Sequence, residues 1–291
     1  MHSILLALAL GARAILAPAT VPAADSLLVS PSWLSAHLAD PGLVVIETGG
    51  NSESYQAGHI PGARFIPLSA IVVTRDGLPN ELPEVAALEQ VLEGAGIGES
   101  GRIVIYGDPL PAARLFFTLD YLGLGGRAAL LDGGLPAWKK AGGAVTSEVP
   151  PPRPGSFTPH PRPDLVVTAD WVQSHLGDSS VALIDARPPA EYRGDPAGAE
   201  VTRGGHIPGA ASYFWRWSLN PGEPATLKDP AVLAKLLARA GAAPGKVLVS
   251  YCRTGVQASH LYFALRYMGY APKLYDGSYL EWNRGERPVE R

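Results

Sequence analysis

The sequence predicts an α/β fold made twice: two tandem domains, each a mostly parallel sheet flanked by helices. Three observations predict it. The hexapeptide "GHIPGA" occurs at 58–63 and again at 205–210, and the features around each copy follow one order. Short apolar, β-branched runs read as buried parallel strands. These runs alternate with amphipathic helical stretches, the pattern of an α/β domain.

The elements repeat in sequence. An apolar run ending in an acid opens each copy, "LVVIET" (43–48) and "VALIDAR" (181–187). A tyrosine follows, Tyr55 or Tyr192, and then the "GHIPGA" turn. Second apolar runs are "RIVIYG" (102–107) and "KVLVSYC" (246–252), each leading to a helical stretch that ends at glycine, "RLFFTLDYLG" (114–123) and "HLYFALRYMG" (260–269). Third runs lead into a DG-x-x-x-x-W element, "AALLDGGLPAW" (128–138) and "PKLYDGSYLEW" (272–282). In "DPAVLAKLLARAG" (229–241), Asp229 is placed to cap a helix whose first residue is Pro230. The Pro-rich segment "GGAVTSEVPPPRPGSFTPHPRP" (142–163) reads as an extended linker.

The resulting boundaries are a leader over 1–24, a first domain over 25–145, a linker over 146–165 and a second domain over 166–291. The leader, "MHSILLALALGARAILAPATVPAAD", has an apolar segment followed by small residues, with Val21 and Ala23 in a V-x-A pattern before Ala24. It predicts a secretory signal and a periplasmic or secreted protein; Arg13 and the lack of a basic start depart from the usual pattern, and without a signal the protein is cytoplasmic. No later run approaches the roughly 20 apolar residues of a membrane span.

Composition narrows the function. A net charge of −3 and 18% charged residues give no footprint for nucleic acid or an anionic membrane. A single cysteine, Cys252, allows no internal disulfide and no cysteine-based metal cluster. No metal or organic cofactor is implied. Two copies in one chain already supply a pseudo-dimer, so a monomer is expected.

Cys252 ends an apolar run and opens the loop "CRTGVQASH". A thiol with a free pKa of ~8.5 is mostly protonated at neutral pH, so a nucleophilic role needs a site that favours the anion. The residues "RTGVQA" can curl so that backbone amides point at the sulfur, with a helix starting around Ser259 behind them. Gly255 permits the tight curl. Arg253 places positive charge nearby, and Arg187, from the neighbouring strand end, can hold an oxyanion.

With these elements in place the chain resembles the rhodanese family, in its tandem two-domain form. The paired "GHIPGA" turns, "DAR" at 185–187, "YCRTGV" and "YDGSYLEW" carry the resemblance. It implies an inactive first domain, matching the cysteine-free "YGDPLPAA" (106–113), and an active second domain with Cys252 as the persulfide-forming residue. It further implies a substrate pocket formed by Arg187, Arg253, Thr254, Gly255, Val256 and Gln257, with Arg193 in "EYRG" at its edge. The implied activity is transfer of sulfane sulfur from a small-molecule donor, thiosulfate, to cyanide or a thiol.

Other readings bound this one. A phosphatase of the C-x5-R type needs Arg six residues after the cysteine, where Ala258 stands. Mercaptopyruvate-using relatives carry a small C-G-[SA]-G-V-T loop and thiosulfate-using relatives a basic C-R-x-G-V-T loop. Arg253 favours thiosulfate, whereas Thr254 and Gln257 replace the Lys and Thr usual there, so both donors stay open. A sensing or binding module is the non-catalytic alternative. His59 and His206 recur in both copies and read as turn-ordering residues. Glu47 and Asp185 end equivalent strands and read as structural, as do Trp138 and Trp282. Trp215 and Trp217 occur only in the second copy, either facing the other domain or packing locally.

Overall fold

The computed structural model describes residues 27–195, 198 and 200–291; the predicted leader lies outside them. The first half holds strands β1 (Leu28–Val29), β2 (Val44–Gly49), β3 (Arg64–Pro67), β4 (Val73–Arg75), β5 (Leu78–Glu81), β6 (Ile103–Gly107) and β7 (Ala128–Leu131). The second holds β8 (Val166–Val167), β9 (Val181–Asp185), β10 (Ala211–Ser212), β11 (Val247–Tyr251) and β12 (Lys273–Tyr275). Each half builds a five-stranded sheet, β1-β7-β6-β2-β3 and β8-β12-β11-β9-β10, in the same relative order. Every neighbour within these two sheets is parallel. The predicted apolar runs are the inner strands. The short edge strands were too brief to show a period.

The register makes the halves superposable by eye: Glu47 stands opposite Tyr106 as Asp185 stands opposite Tyr251. The two "GHIPGA" turns are built alike. His59 Nδ1 bonds the Tyr55 carbonyl at 2.7 Å and His206 Nδ1 that of Tyr192 at 3.0 Å, with each ring stacked on that tyrosine. The Ile60 and Ile207 amides donate to the Tyr106 and Tyr251 hydroxyls. A terminal residue of each half, Thr146 or Glu290, pairs with the histidine backbone. These histidines therefore have the ordering role expected of them.

Helix Pro109–Tyr121 of the first half packs against helix Val256–Tyr267 of the second. Phe116 meets Phe263, and Phe117 meets Tyr262, edge to face with 5.0 Å between ring centres. One buried apolar cluster runs without interruption through both halves. The outer face of each sheet has its own smaller cluster, with Trp138 in one and Trp282 in the other. Asp120, in the interface helix, accepts from Tyr262 and Arg266 at 2.8 Å each and pairs with Arg162. Asp229 caps helix Pro230–Arg239 by accepting from the Ala231 amide.

The linker is extended but attached to the first half. The Gly155 amide donates to the Glu93 carbonyl, Phe157 is buried, and the His160 amide donates to the Leu122 carbonyl. One element was not anticipated, the antiparallel hairpin β4–β5, although its Asp76-Gly77 turn, with both residues at positive φ, is a hairpin signal in the sequence. Its turn is held by the second half, where Arg284 donates to the carbonyls of Asp76 and Gly77.

Candidate active site

Cys252 follows β11 directly, at the carboxyl end of a central parallel strand, where open α/β sheets bind ligands. Its side chain is buried. The DG-x-x-x-x-W element of the same half fixes its backbone. The Cys252 amide donates to Ser278 Oγ at 3.2 Å, the Tyr279 amide to the Cys252 carbonyl at 2.9 Å, and the Leu280 amide to the Arg253 carbonyl at 3.0 Å. Gly255 sits at φ +87°, as the tight curl requires. The helix begins at Val256, three residues before the expected start. Ser259 is thus inside the helix and does not cap it; its hydroxyl donates to the Gly255 carbonyl at 3.0 Å.

The amides of Ala258, Thr254 and Gln257 are directed at the sulfur. Burial still dominates and pushes the Cys252 thiol up, and the Asp185 carboxylate adds to the rise. The strongest influences on the thiol include no arginine, which corrects the expectation that arginines beside it favour the anion.

The reason is where those arginines point. Arg187 is wholly buried and gripped by Asp185, which accepts from its Nε at 3.0 Å and its Nη2 at 2.6 Å. Nη2 also donates to the Gly205 carbonyl, and the guanidinium lies 3.9 Å from the Tyr279 ring centre. Burial opposes its charge, but Asp185 more than offsets this and holds its pKa above the usual arginine range. Only Nη1 lacks a partner among the described residues, so any substrate contact falls to that one nitrogen. Arg253 swings to Glu191, with Nη2 to Oε1 at 2.6 Å, leaving its charge matched and its side chain about one-third exposed, at 34%.

The remaining predicted residues divide. Thr254 Oγ1 accepts from Asn80 Nδ2 at 2.9 Å, so its hydroxyl faces the other half. Gln257 Oε1 is buried and has no hydrogen-bond partner among the described residues. Val256 opens the helix, half-buried. Arg193 is exposed at the end of a short helix and joins no hydrogen bond or ion pair among the described residues.

The first half contributes residues that sequence reasoning missed. Arg114, buried within the interface helix, donates from Nη1 to Asp276 Oδ1 at 2.6 Å and from Nη2 to Oδ2 at 3.1 Å. Its Nη2 also donates to the Asn80 carbonyl, and the Leu82 amide donates to Asp276 Oδ2 at 2.9 Å. This cluster abuts the loop: a Cβ on Gly255 would stand 2.5 Å from Asp276 Oδ1 and 3.2 Å from Arg114 Nη1. The signal available in the sequence was a charged residue, Arg114, opening an otherwise apolar helical run.

Comparison with known proteins agrees with this geometry. The profile described as "Rhodanese-like domain" matches residues 30–141 and 168–284. A Pseudomonas aeruginosa protein named probable 3-mercaptopyruvate sulfurtransferase is 35% identical, over 90% of this chain and 97% of its own. A thiosulfate sulfurtransferase of the same organism is 33% identical, over 91% and 97%. A Thermus thermophilus protein named sulfur carrier protein TtuD is 35% identical, over 88% and 93%. Among solved structures, wild-type EanB superposes with a TM-score of 0.81 at 25% identity, over 92% of this chain and 70% of that one.

Proposed function

Because the chain belongs to the rhodanese-like family, with two such domains in tandem, we propose that it is a sulfurtransferase working through a persulfide on Cys252. The observation that carries the reading is the lone thiol at a strand end, with three backbone amides directed at its sulfur.

In the first half-reaction the Cys252 thiolate attacks the outer sulfur of thiosulfate. The S–S bond of thiosulfate breaks, its electron pair leaves on sulfite, and Cys252 carries a persulfide. In the second, cyanide or a thiolate attacks the terminal sulfur and the pair returns to the Cys252 thiolate. Amides aimed at the sulfur stabilise each anionic form without rearranging. Arg187 Nη1 and the Gln257 side chain are the groups available to the departing sulfite oxygens. Arg253, paired with Glu191, holds loop position.

Thiosulfate is the donor this reading favours, on the strength of Arg253. Mercaptopyruvate is the second reading, supported by the name of a 35% identical relative. Mass spectrometry after thiosulfate treatment tests the core claim: a gain of one sulfur on Cys252, absent in Cys252→Ser, supports it. Turnover of thiosulfate and cyanide by Cys252→Ser would sink it. The ratio of kcat/KM for the two donors, in wild type and Arg253→Gly, decides between them.

Export and a monomeric state belong to the same reading. The V-x-A pattern before Ala24 supports export, and N-terminal sequencing that found Met1 retained would reject it. The apolar core shared by both halves supports a monomer, checked by light scattering.

A further inference from the structure

The silent half has a cavity of its own at the place corresponding to the Cys252 site. It encloses about 560 Å³, a size suited to a small molecule, between the strand ends of the first sheet and the Trp215–Leu227 segment of the second half. Residues that serve an anion in the active half are here removed or reversed. Cys252 corresponds to Gly107 and Arg253 to Asp108, the residues that follow Tyr251 and Tyr106. The helix starts at Pro109, and Pro109 and Pro111 have no N–H to offer. Gly49 stands where the other half has Arg187.

The loss of that arginine leaves a carboxylate uncovered. Asp185 has its charge matched by Arg187. Its counterpart Glu47 is just as deep, 4% exposed, and lines the cavity. Glu47 Oε1 accepts from the Ser54 hydroxyl at 3.3 Å and the Tyr106 hydroxyl also faces this carboxylate, but no cation pairs with it among the described residues and Oε2 has no hydrogen-bond partner there. A buried, unpaired carboxylate is costly and calls for a cation.

The same substitution occurs a second time. Asp276 is covered by Arg114; the matching pair in the cavity is Asp132 and His260. Asp132 accepts from the Leu227 amide as Asp276 does from that of Leu82. Burial pushes the Asp132 carboxyl up and holds the His260 imidazole down at about 4, so the histidine brings no positive charge. His260 Nδ1 and Thr48 Oγ1 are buried and also lack partners among the described residues. Glu47, Asp108, Asp132 and Glu223 thus line the cavity with one cation among the described residues, Arg216, whose guanidinium lies 5.6 Å from the Trp215 ring centre. Among the described residues no group of three or more His, Cys, Asp or Glu could hold a metal ion.

We propose that this cavity binds a small organic cation with N–H donors, an alkylguanidinium or alkylammonium, whose charge stands where the active half keeps its own arginine. The Glu47 oxygen without a partner accepts its hydrogen bonds.

The test is titration calorimetry of agmatine into the full chain at low salt. Gly49→Arg restores the missing guanidinium in cis, at a position where a Cβ meets nothing closer than 3.7 Å. The expected result is saturable binding by wild type, about tenfold or more weaker binding by Glu47→Gln, and loss of binding in Gly49→Arg. Sulfate should not compete. Thermal melts establish that each variant is folded, and sulfur transfer at Cys252 stays at the wild-type level in both. Absence of saturable binding by wild type, or binding by Gly49→Arg equal to wild type, overturns the proposal. Neither outcome bears on the role of Cys252.

Discussion

Replacing Arg114 by Met tests whether the first half supports the Cys252 loop. Arg114 is fully buried and makes two hydrogen bonds to the Asp276 carboxylate and one to the Asn80 carbonyl. Without it, Asp276 keeps only the Leu82 amide from the first half and remains a buried charge. Breaking a buried pair in this way costs about 3–5 kcal/mol. At roughly 2–4 °C per kcal/mol for a chain of this size, Tm should fall by about 10 °C. Because Asp276 touches the Gly255 curl, kcat/KM for sulfur transfer should fall about tenfold or more. Differential scanning calorimetry and a thiocyanate assay read the two effects. Adding Asp276→Asn removes the stranded charge while keeping an acceptor for Leu82, so the double variant should be more stable than Arg114→Met alone. A Tm within 2 °C of wild type together with unchanged kcat/KM would refute the support role.

Three further outcomes follow from the same cluster and loop. Burial, then the Asp276 carboxylate, raise Glu81 from its ordinary 4.5 to about 7 against the pull of Arg114. The folded state therefore holds this proton more tightly than the unfolded chain, so stability from this group is full below about pH 4.5 and declines as pH rises to about 7; Glu81→Gln should flatten that decline in melts from pH 5 to 8. Gly255→Ala must place a Cβ 2.5 Å from Asp276 Oδ1 at φ +87°, so persulfide formation measured by mass spectrometry should slow at least tenfold, as an order of magnitude, with the fold retained. Since burial pushes the Cys252 thiol up, alkylation by iodoacetamide should accelerate steadily from pH 7 to 9; a plateau already at pH 6 would contradict the assigned direction.

The parts of this protein that were legible in its sequence are those set by neighbours along the chain. β-Branched runs became the inner strands, Asp229 capped its helix, and the repeated histidines bonded the tyrosine carbonyl before them. The placement of Cys252 at a strand end was legible for the same reason. What could not be read depends on contacts across long separations. Asn80 reaches Thr254 across 174 positions, Arg114 reaches Asp276 across 162, and Glu191 captures Arg253 across 62. A charged residue shows in the sequence that it will need a partner, but not which one the fold delivers. Arg253 was expected beside the sulfur and is held by Glu191; Ser259 was expected at a helix start and lies a turn inside. Trp215, seen only in the second copy, had two open readings, and the structure puts it over the strand ends of the other half.

The reciprocal amide contacts, Leu82 to Asp276 and Leu227 to Asp132, have a consequence for how such a chain can be cut and joined. Each half finishes the other's strand-end loop, as two subunits related by a twofold axis would. The peptide between them contributes none of these bonds, and the Pro151–Pro154 stretch is exposed. A nick there should leave two fragments that stay together, and fragments made separately should find one another. The two halves thus hold each other within one chain as the subunits of a homodimer would.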